Sequence, residues 1–475
     1  MSARVFEGTR TLARFALACG GRLVGADGPY TGVSTDTRRI GRGELFVALR
    51  GARFDGHRFL DQAVQAGAAG AVVETEHSAR LPQVLVQDTL DALTRAASRW
   101  RSELTLPVIG VAGSNGKTTV KEMLAAILAA AGPTLATQGN LNNHIGVPLT
   151  LLRLERAHRF AVIEMGANRQ GEVARLVELA RPTIGLITNA GAEHLEGFGS
   201  LEGAARAEGE MVEGLDADAL AVINADDPFA PLWRGLTRAR VRTFGLEQGA
   251  DFRARGLELA IEGGEFRTRF TLDTADTSVP LELRLAGRHN VLNALAAAAA
   301  ATAAGASLAH VDAGLAAMRP VGGRLELKRA RCGAWLIDDS YNANPSSASA
   351  AIEVLAALGG RKWLVLGDMA ELGAFARGSH AEIGTLARER GIERLFATGE
   401  LARIAAHSFG AGAEWYPDGQ ALIRALGEAL TPDAQVLIKG SRVNHLERVV
   451  AALAGAAESA RAAESAHAAA PGEGR

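Results

Sequence analysis

The sequence predicts an α/β protein of three domains, and three observations support this class. Short apolar runs, typical of buried parallel strands, alternate with helical stretches along most of the 475 residues. A chain of this length suggests about three domains at roughly 150 residues each. The 55 glycines and an aromatic content of only 5% favour layered α/β structure with many tight turns over an aromatic-rich β-sandwich.

Composition excludes several other classes of protein. The 51 Lys and Arg nearly balance the 53 Asp and Glu, giving a net charge of −2, so we expect no nucleic-acid partner. Two cysteines, Cys19 and Cys332, cannot build a disulfide framework or a zinc cluster. No apolar run reaches the roughly 18 residues of a membrane span, and the N-terminus lacks a signal-peptide layout. We therefore expect a cytoplasmic protein without a membrane span, and a monomer.

The first predicted domain, residues 1–103, is a small α/β N-terminal domain. The predicted strands are 43–49, 69–74 and 83–88, and the predicted helices are 59–68 and 90–100.

The second predicted domain, residues 104–319, combines a doubly wound, mainly parallel sheet with a small antiparallel addition. A strand at 106–113 leads into a helix at 118–132, which ends at Gly132 and Pro133. The further parallel strands are 160–167, 183–190 and 219–226, and the alternating segments 252–259, 265–272 and 279–285 form the antiparallel addition.

The third predicted domain, residues 320–455, is a Rossmann-like α/β domain. Strand-like runs alternate with helices here as in an open sheet. These runs are 335–339, 362–368, 394–399 and 435–440. Residues 456–475, rich in Ala and Glu, are predicted to be a flexible tail.

A glycine-rich segment, PVIGVAGSNGKTTVKE at 107–122, is the strongest motif. Its glycines let backbone N–H groups turn toward phosphate oxygens, Lys117 can neutralise phosphate charge, and the Thr118 hydroxyl can bind Mg²⁺. The strict phosphate-loop pattern needs Gly at Val111, so this is a variant, and a simple glycine-rich turn is the alternative. GTP stays possible, but no NKxD motif occurs, which favours ATP. The predicted ATP-binding loop, called the phosphate loop below, comprises Gly110, Val111, Ala112, Gly113, Ser114, Asn115, Gly116, Lys117, Thr118 and Thr119.

Two further residues at predicted strand ends are candidate metal ligands. Glu164 ends the strand at 160–167, and His194 follows the strand at 183–190. Ligands bind beyond the carboxyl ends of strands in doubly wound sheets. Because Mg²⁺ prefers oxygen, the imidazole is an unusual ligand, and local capping or hydrogen bonding is the alternative for both residues.

Nine sequence motifs together resemble the Mur ligases, over all of the chain except the tail. They are GSNGKTT, TQGNLNNHIGVPLTLL, EMGANRQGE, ITNAGAEHLEGFGS, NADD, GRHNVLNALAA, DDSYNANP, LGDMAELG and IKGSR. The resemblance implies an ATP-dependent ligase of cytoplasmic peptidoglycan precursor synthesis that forms an amide bond through an acyl phosphate. NNHIGVPLTLL, DDSYNANP and LGDMAELG resemble one member of the family in particular, and this resemblance implies UDP-N-acetylmuramoyl-tripeptide and D-alanyl-D-alanine as the substrates.

The resemblance also assigns roles to residues of the nucleotide site. Lys117 and Thr118 would hold the γ-phosphate and Mg²⁺, and Arg324 would reach the phosphates. Asn290 and Asn293 would contact adenine, although Asn290 could instead cap a helix, and Asp339 would bind the ribose. The implied catalytic residues are Lys117, Glu164, His194, Arg324 and Lys439, and the metal ligands are Thr118, Glu164, His194 and Glu208.

The implied substrate-binding residues fall into three groups. The segment 34–38 could otherwise be a plain turn, and Lys439 and Arg442 could otherwise be surface charge. For the UDP-sugar they are Ser34, Asp36, Thr37, Arg38, Asp55 and His57; for the acceptor beside the γ-phosphate Thr137, Asn140, Asn142, Asn143 and His144; for the dipeptide Asn342, Asn344, Lys439, Ser441 and Arg442.

Glu208 marks a departure from the family pattern. Many Mur ligases carry a carbamoylated lysine that helps to bind a second Mg²⁺, but this chain has no lysine between Lys121 and Lys328. Our hypothesis is that Glu208 supplies the carboxylate directly, on an arm shorter by about 3–4 Å. The alternative is that Glu208 is a solvated helix residue.

Two rival functions stay open from the sequence. One is an amide ligase of the same superfamily that adds a single amino acid or glutamate. The other is a nucleotide-dependent switch without ligase chemistry, against which the NNHIGVP, DDSYNANP and IKGSR motifs argue.

Overall fold

The computed structural model describes residues 10–51, 54–191, 195–247, 249–320 and 322–455. His194 and the predicted tail lie outside these residues. Contacts divide the described chain into two compact units. The first contains residues from 10–110, 132–166 and 172–183, and the second contains residues from 111–131, 167–171 and 184–455.

The first unit contains a five-stranded sheet in the order β1-β7-β6-β3-β2, in which only β1 is antiparallel to its neighbour. Strands β3 and β6 are buried along their whole length, as expected for parallel strands covered on both faces. The elements are α1 (Leu12–Cys19), β1 (Arg22–Val24), β2 (Val33–Ser34), β3 (Leu45–Val47), β4 (Arg50–Gly51), β5 (Phe54–Asp55), a 3₁₀ helix (Gly56–Phe59), α2 (Leu60–Gln65), β6 (Gly70–Val73), β7 (Gln83–Leu85) and α3 (Thr89–Ser102).

The first unit also contains strands in the order β8-β10-β9, with β10 parallel to β9. The buried Arg101 of α3 donates to the carbonyl oxygens of Leu104, Ala180 and Arg181, and so ties α3 to the end of α6. The elements are β8 (Val108–Ala112), whose last two residues belong to the second unit, β9 (Thr134–Ala136), α5 (Gly146–Leu151), β10 (Phe160–Glu164) and α6 (Glu172–Ala180).

The second unit contains strands in the order β16-β15-β14-β13-β12-β11-β8. The pairs from β11 to β14 are parallel, and the pairs β14–β15 and β15–β16 are antiparallel, so the predicted antiparallel addition is confirmed. The elements are α4 (Lys117–Ala131), β11 (Ile184–Ile187), α7 (Leu195–Phe198), α8 (Leu201–Glu213), β12 (Leu220–Asn224), α9 (Ala230–Leu236), β13 (Arg240–Gly245), β14 (Phe252–Glu262), β15 (Glu265–Asp273), β16 (Ser278–Leu283), α10 (Arg288–Ala303) and α11 (Leu308–Ala317).

A six-stranded sheet in the order β17-β18-β22-β19-β20-β21 completes the second unit, and only β17 is antiparallel to its neighbour. Successive residues of β18 enter opposite cores, Leu336 on one face and Ile337 on the other, so helices cover both faces. The elements are β17 (Glu326–Arg329), β18 (Trp335–Asp339), α12 (Pro345–Ala357), β19 (Arg361–Leu366), a 3₁₀ helix (Gly373–Phe375), α13 (Ala376–Glu389), β20 (Arg394–Thr398), α14 (Ala402–Phe409), β21 (Ala413–Tyr416), α15 (Gly419–Ala429), β22 (Ala434–Lys439), a 3₁₀ helix (Arg442–Asn444) and α16 (Glu447–Leu453).

The predicted α/β class is confirmed. The three large sheets have five, nine and six strands, and most of their strand pairs are parallel. The domain boundaries at 103, 319 and 455 stay a prediction. Among the described residues, no helix combines the length and the apolar character needed to cross a membrane.

Candidate active site

The phosphate loop turns sharply between a buried strand and a helix. Residues 110–112 lie inside β8, and Lys117 begins α4. Gly113 and Gly116 have φ values of +125° and +84°, which side chains disfavour. A Cβ at Gly113 would lie 2.1 Å from Thr188 Oγ1, and one at Gly116 would lie 2.4 Å from Asn293 Oδ1. Glycine is therefore required at both positions.

Residues after β11 hold the loop in shape. The amide nitrogen of Ser114 donates to the Asn189 carbonyl, and that of Asn115 donates to Asn189 Oδ1 at 3.0 Å. Thr188 Oγ1 donates to the Asn115 carbonyl at 2.6 Å. Sequence reasoning missed Thr188 and Asn189, although two polar residues directly after a buried strand were a usable signal.

Lys117 and Thr118 lie where the motif predicts. The Lys117 ammonium donates to the carbonyl oxygens of Gly113 and Ser114, the latter at 3.0 Å. Thr118 Oγ1 accepts from the Arg324 guanidinium at 3.5 Å. The structure thus brings the two predicted cationic residues to one helix N-terminus, where phosphate is stabilised by backbone N–H groups and the helix dipole. Thr119, the last predicted loop residue, is buried in α4.

Glu208 lies on α8 and is only 2% exposed, so it is not a solvated helix residue. Its Oε2 accepts the Gly113 N–H at 2.6 Å. The structure therefore places a buried carboxylate directly against the phosphate loop.

Asn290 and Asn293, the predicted adenine contacts, form a buried pair on α10. Asn293 Nδ2 donates to Asn290 Oδ1 at 3.1 Å, and Asn290 Nδ2 donates to the Ala286 carbonyl at 2.8 Å. The residue at the N-cap of α10 is Gly287, so Asn290 does not serve as the cap.

His289, beside this pair, is a titratable group that sequence reasoning missed. Burial lowers its pKa to about 4; the Asp339 carboxylate acts in the opposite direction, and the Lys439 ammonium lowers the pKa further. The imidazole next to the predicted adenine contacts is therefore neutral at pH 7.

Asp339 and Lys439 form a buried ion pair at the ends of β18 and β22. Lys439 Nζ lies 2.6 Å from Asp339 Oδ2 and also donates to the Asn342 carbonyl at 3.1 Å. Lys439 is 2% exposed, which excludes the surface-charge alternative for this residue. The Asp339 carboxylate also accepts the Leu325 N–H, and so fixes the turn that carries Arg324.

The other predicted dipeptide residues are spread over this end of the sheet. Asn344 caps α12 by accepting from Ser347, and its Nδ2 donates to Asn115 Oδ1 of the phosphate loop at 2.8 Å. The buried Ser441 donates to the Asp368 carbonyl. Arg442 is exposed, and its guanidinium carbon lies 5.6 Å from the centre of the Tyr341 ring.

In the first unit, Glu164 lies at the end of β10 and is 2% exposed. Its backbone N–H donates to Thr137 Oγ1 at 3.0 Å, and its Oε1 accepts from Asn142 Nδ2 at 2.9 Å. Three of the predicted metal and acceptor residues are thus brought together. The remaining residues of the acceptor group, Asn140, Asn143 and His144, are exposed on the same loop.

The predicted UDP-sugar residues form two small clusters in the first unit. Ser34 and Asp36 build a turn in which Asp36 accepts two bonds from the Arg38 guanidinium; this contact lowers the Asp36 pKa. Asp55 accepts from His57 Nδ1 at 2.7 Å, which lowers the Asp55 pKa, while His57 Nε2 accepts the Glu74 N–H. Thr37, near the first cluster, donates to Gln62.

This fold and site are typical of mononucleotide-binding α/β proteins. Three family models match the chain: the Mur ligase family catalytic domain at residues 29–101, the Mur ligase middle domain at 111–301, and the Mur ligase glutamate ligase domain at 323–442. The chain belongs to the Mur ligase family, so the resemblance is confirmed.

Relatives and solved structures support the same assignment. The chain is 44% identical, over 93% of its length and 98% of the relative, to the UDP-N-acetylmuramoyl-tripeptide--D-alanyl-D-alanine ligase of Escherichia coli. It is 37% identical to the Bacillus subtilis protein of that name, over 88% and 92% of the two chains. The fold matches MurF from Acinetobacter baumannii with a TM-score of 0.86 at 34% identity, covering 92% and 97% of the two chains. It also matches the ADP complex of Thermotoga maritima MurF ligase, with a TM-score of 0.77 at 28% identity, covering 88% and 96%.

Proposed function

We propose that this chain is an ATP-dependent ligase that joins D-alanyl-D-alanine to UDP-N-acetylmuramoyl-tripeptide in peptidoglycan precursor synthesis. The relatives that carry this name match most of both chains. The structural observation that carries the proposal is the contact of two segments near β18 with the phosphate loop: Arg324 donates to Thr118, and Asn344 donates to Asn115. The proposed phosphate site and the proposed dipeptide site therefore belong to one compact unit.

The reaction brings anions together, because a substrate carboxylate attacks a triphosphate. Catalysis must therefore come largely from charge compensation and alignment. Lys117 and Arg324 would supply positive charge at the phosphate loop. The γ-phosphoryl group passes to the tripeptide carboxylate, ADP leaves, and the free amine of D-alanyl-D-alanine attacks the acyl phosphate. The tetrahedral intermediate then expels phosphate, and the amine loses a proton to solvent or base.

The predicted donors suit Mg²⁺, which prefers oxygen ligands. Thr118 offers a hydroxyl on the first turn of α4, and Glu208 offers a carboxylate held against Gly113. Glu164, in the first unit, and His194 stay predicted ligands on the family pattern. When bound, Mg²⁺ would neutralise charge on the phosphate oxygens.

The nucleoside, the dipeptide and the UDP-sugar are proposed to bind to the other predicted site residues. The buried amides of Asn290 and Asn293 offer the donor and acceptor groups that an adenine edge requires. Asp339 would bind the ribose hydroxyls, while Lys439, Ser441 and Arg442, with Asn342 and Asn344, would bind the dipeptide. The UDP-sugar and acceptor groups in the first unit keep the roles that the family pattern implies.

A substrate panel tests the proposed function. Phosphate release is measured with ATP, the tripeptide nucleotide carrying either meso-diaminopimelate or L-Lys, and D-alanyl-D-alanine, meso-diaminopimelate, L-Lys or glutamate as the amine. We expect release only when a tripeptide nucleotide and D-alanyl-D-alanine are both present. Release with a single amino acid would support the rival ligase, and release with nucleotide alone would support the switch.

We further propose that the protein works in the cytoplasm, where ATP and nucleotide-linked precursors are available, and that it acts as a monomer. Light scattering at micromolar concentration should report the mass of one chain, and a mass of two chains would contradict this.

A further inference from the structure

Tyr341 follows β18 and exposes 37% of its surface, yet two cationic groups lie against its ring. The guanidinium carbon of Arg324 is 4.5 Å from the ring centre, and that of Arg442 is 5.6 Å from the same centre. Arg324 precedes β17, and Arg442 follows β22. Segments that precede β17, follow β18 and follow β22 therefore meet at one aromatic ring.

The backbone beneath the ring is fixed. The Tyr341 N–H donates to the Gly323 carbonyl at 3.1 Å. Gly323 has φ +70°, and a Cβ there would lie 3.2 Å from the Tyr341 nitrogen. Leu325 also has a positive φ of 51°, in a turn held by the Asp339 carboxylate. These contacts fix the Tyr341 backbone, and so the base of its side chain, beside Arg324.

In the part of the chain that the structure describes, no carboxylate forms an ion pair with Arg324 or Arg442, and the buried Nε of Arg324 has no hydrogen-bond partner there. An aromatic face attracts a guanidinium without cancelling its charge. Both arginines thus keep the full positive charge that phosphate or carboxylate ligands need.

We propose that Tyr341 is a shared positioning residue, whose ring aims Arg324 at the triphosphate and Arg442 at the carboxylate of the incoming dipeptide. This rests on the proposed function, because that function gives the two arginines their ligands. The ring acts through the arginines, and its hydroxyl is not required. A ring that serves both arginines would couple the nucleotide site and the amine site through one side chain.

Two substitutions separate the ring from its hydroxyl. Tyr341→Leu removes the aromatic face, and Tyr341→Phe removes only the hydroxyl. Initial rates of phosphate release give KM for ATP, D-alanyl-D-alanine and the tripeptide nucleotide. Tyr341→Leu should raise KM for ATP and for the dipeptide by about two- to fivefold each, and leave KM for the tripeptide nucleotide unchanged. Tyr341→Phe should stay within about twofold of wild type. Phe375→Leu, at an exposed aromatic residue in the 3₁₀ helix between β19 and α13, is the matched control and should match wild type.

A double-mutant cycle assigns the effect to the arginines. In an Arg442→Ala background, Tyr341→Leu should still raise KM for ATP but should no longer raise KM for the dipeptide. Wild-type KM values in Tyr341→Leu, or equal losses in Tyr341→Phe and Tyr341→Leu, would overturn the proposal. If melting curves show that Tyr341→Leu does not fold, Tyr341→Met is judged by the same criteria. A wild-type protein without acceptor-dependent turnover would instead overturn the proposed function itself.

Discussion

The Lys117 ammonium donates hydrogen bonds to the carbonyl oxygens of Gly113 and Ser114, in the loop that is proposed to bind phosphate. These bonds are exchangeable, because an anion within reach offers a stronger, charge-assisted partner. The ammonium is therefore placed to follow a phosphate oxygen as charge moves during transfer.

Replacing Lys117 by Ala should lower kcat for acceptor-dependent phosphate release by at least about a hundredfold, because charge compensation at the transferring group is lost. Stopped or continuous phosphate assays at saturating substrates measure this. Lys362→Ala is the control, because Lys362 lies in β19 and its ammonium donates to the Ala356 carbonyl of α12. Turnover of Lys117→Ala near the wild-type rate would defeat the assignment.

Glu208 is the residue that we predict to replace the carbamoylated lysine of many Mur ligases, and its burial beside Gly113 fits a role at the proposed phosphate site. Glu208→Ala should raise the Mg²⁺ concentration for half-maximal turnover by about tenfold, because a carboxylate near the metal site is lost. A Mg²⁺ titration of the phosphate-release rate measures this. Glu202→Ala, an exposed residue of the same helix, should have no effect. An unchanged Mg²⁺ dependence in Glu208→Ala would reject the metal hypothesis.

The strand–loop–helix segment formed by β8, the phosphate loop and α4 folds only if the loop backbone lies close to the residues that follow β11. Gly113→Ala should destabilise the protein by roughly 1–3 kcal/mol and weaken nucleotide binding, because a Cβ would collide with Thr188. Thermal melting and nucleotide titration measure the two effects. Gly235→Ala, a helical glycine with open space around its Cβ position, should be neutral or slightly stabilising. Equal melting temperatures for the two variants would contradict this account of the loop.

The first turn of α10 carries a pH-dependent contribution to stability from His289. Its folded pKa of about 4 lies below the unfolded value of about 6.5. The unfolded chain therefore takes up a proton first as pH falls, and stability drops between pH 6.5 and 4. Melting temperatures over this range should fall less in His289→Gln than in wild type. Parallel decreases in the two proteins would show that the imidazole does not contribute.

Much of the element pattern could be predicted from the sequence, because long apolar runs specify buried strands. The runs around β8, β10, β11 and β12 predicted those strands within a few residues. Short or polar strands were missed. β9 has only three residues, β13 carries two arginines, and β21 pairs on one side only at the sheet edge. Their positions come from pairing with neighbours rather than from local pattern.

The candidate site was predictable where a motif fixes the backbone and less so elsewhere. Lys117, Thr118 and the glycines follow from strand–loop–helix spacing. Tyr341 and Thr188 could not be assigned from spacing, because Arg442 and Asn115, which contact them, are distant in sequence and meet them only in the folded chain. The contact of Asn344 with Asn115 likewise joins residues 229 positions apart.

In the whole molecule, acidic and basic residues nearly balance, but the candidate site concentrates positive charge. The chain has a net charge of −2, but Lys117 and Arg324 converge on one helix N-terminus, and Arg442 lies near the same tyrosine as Arg324. Such local concentration of positive charge suits anionic substrates without making the surface a general polyanion binder. The glycines, the arginines and the buried Asp339–Lys439 pair together support the proposed ligase function.

ATP is proposed to bind with its phosphates at the phosphate loop. A crystal structure of the protein with ADP and Mg²⁺ shows where the nucleotide binds. We expect the β-phosphate to be held by backbone N–H groups of residues 113–118, with the Lys117 ammonium moved from its loop carbonyls onto a phosphate oxygen. Well-defined nucleotide density elsewhere on the protein, with the loop free of phosphate, would refute this binding site.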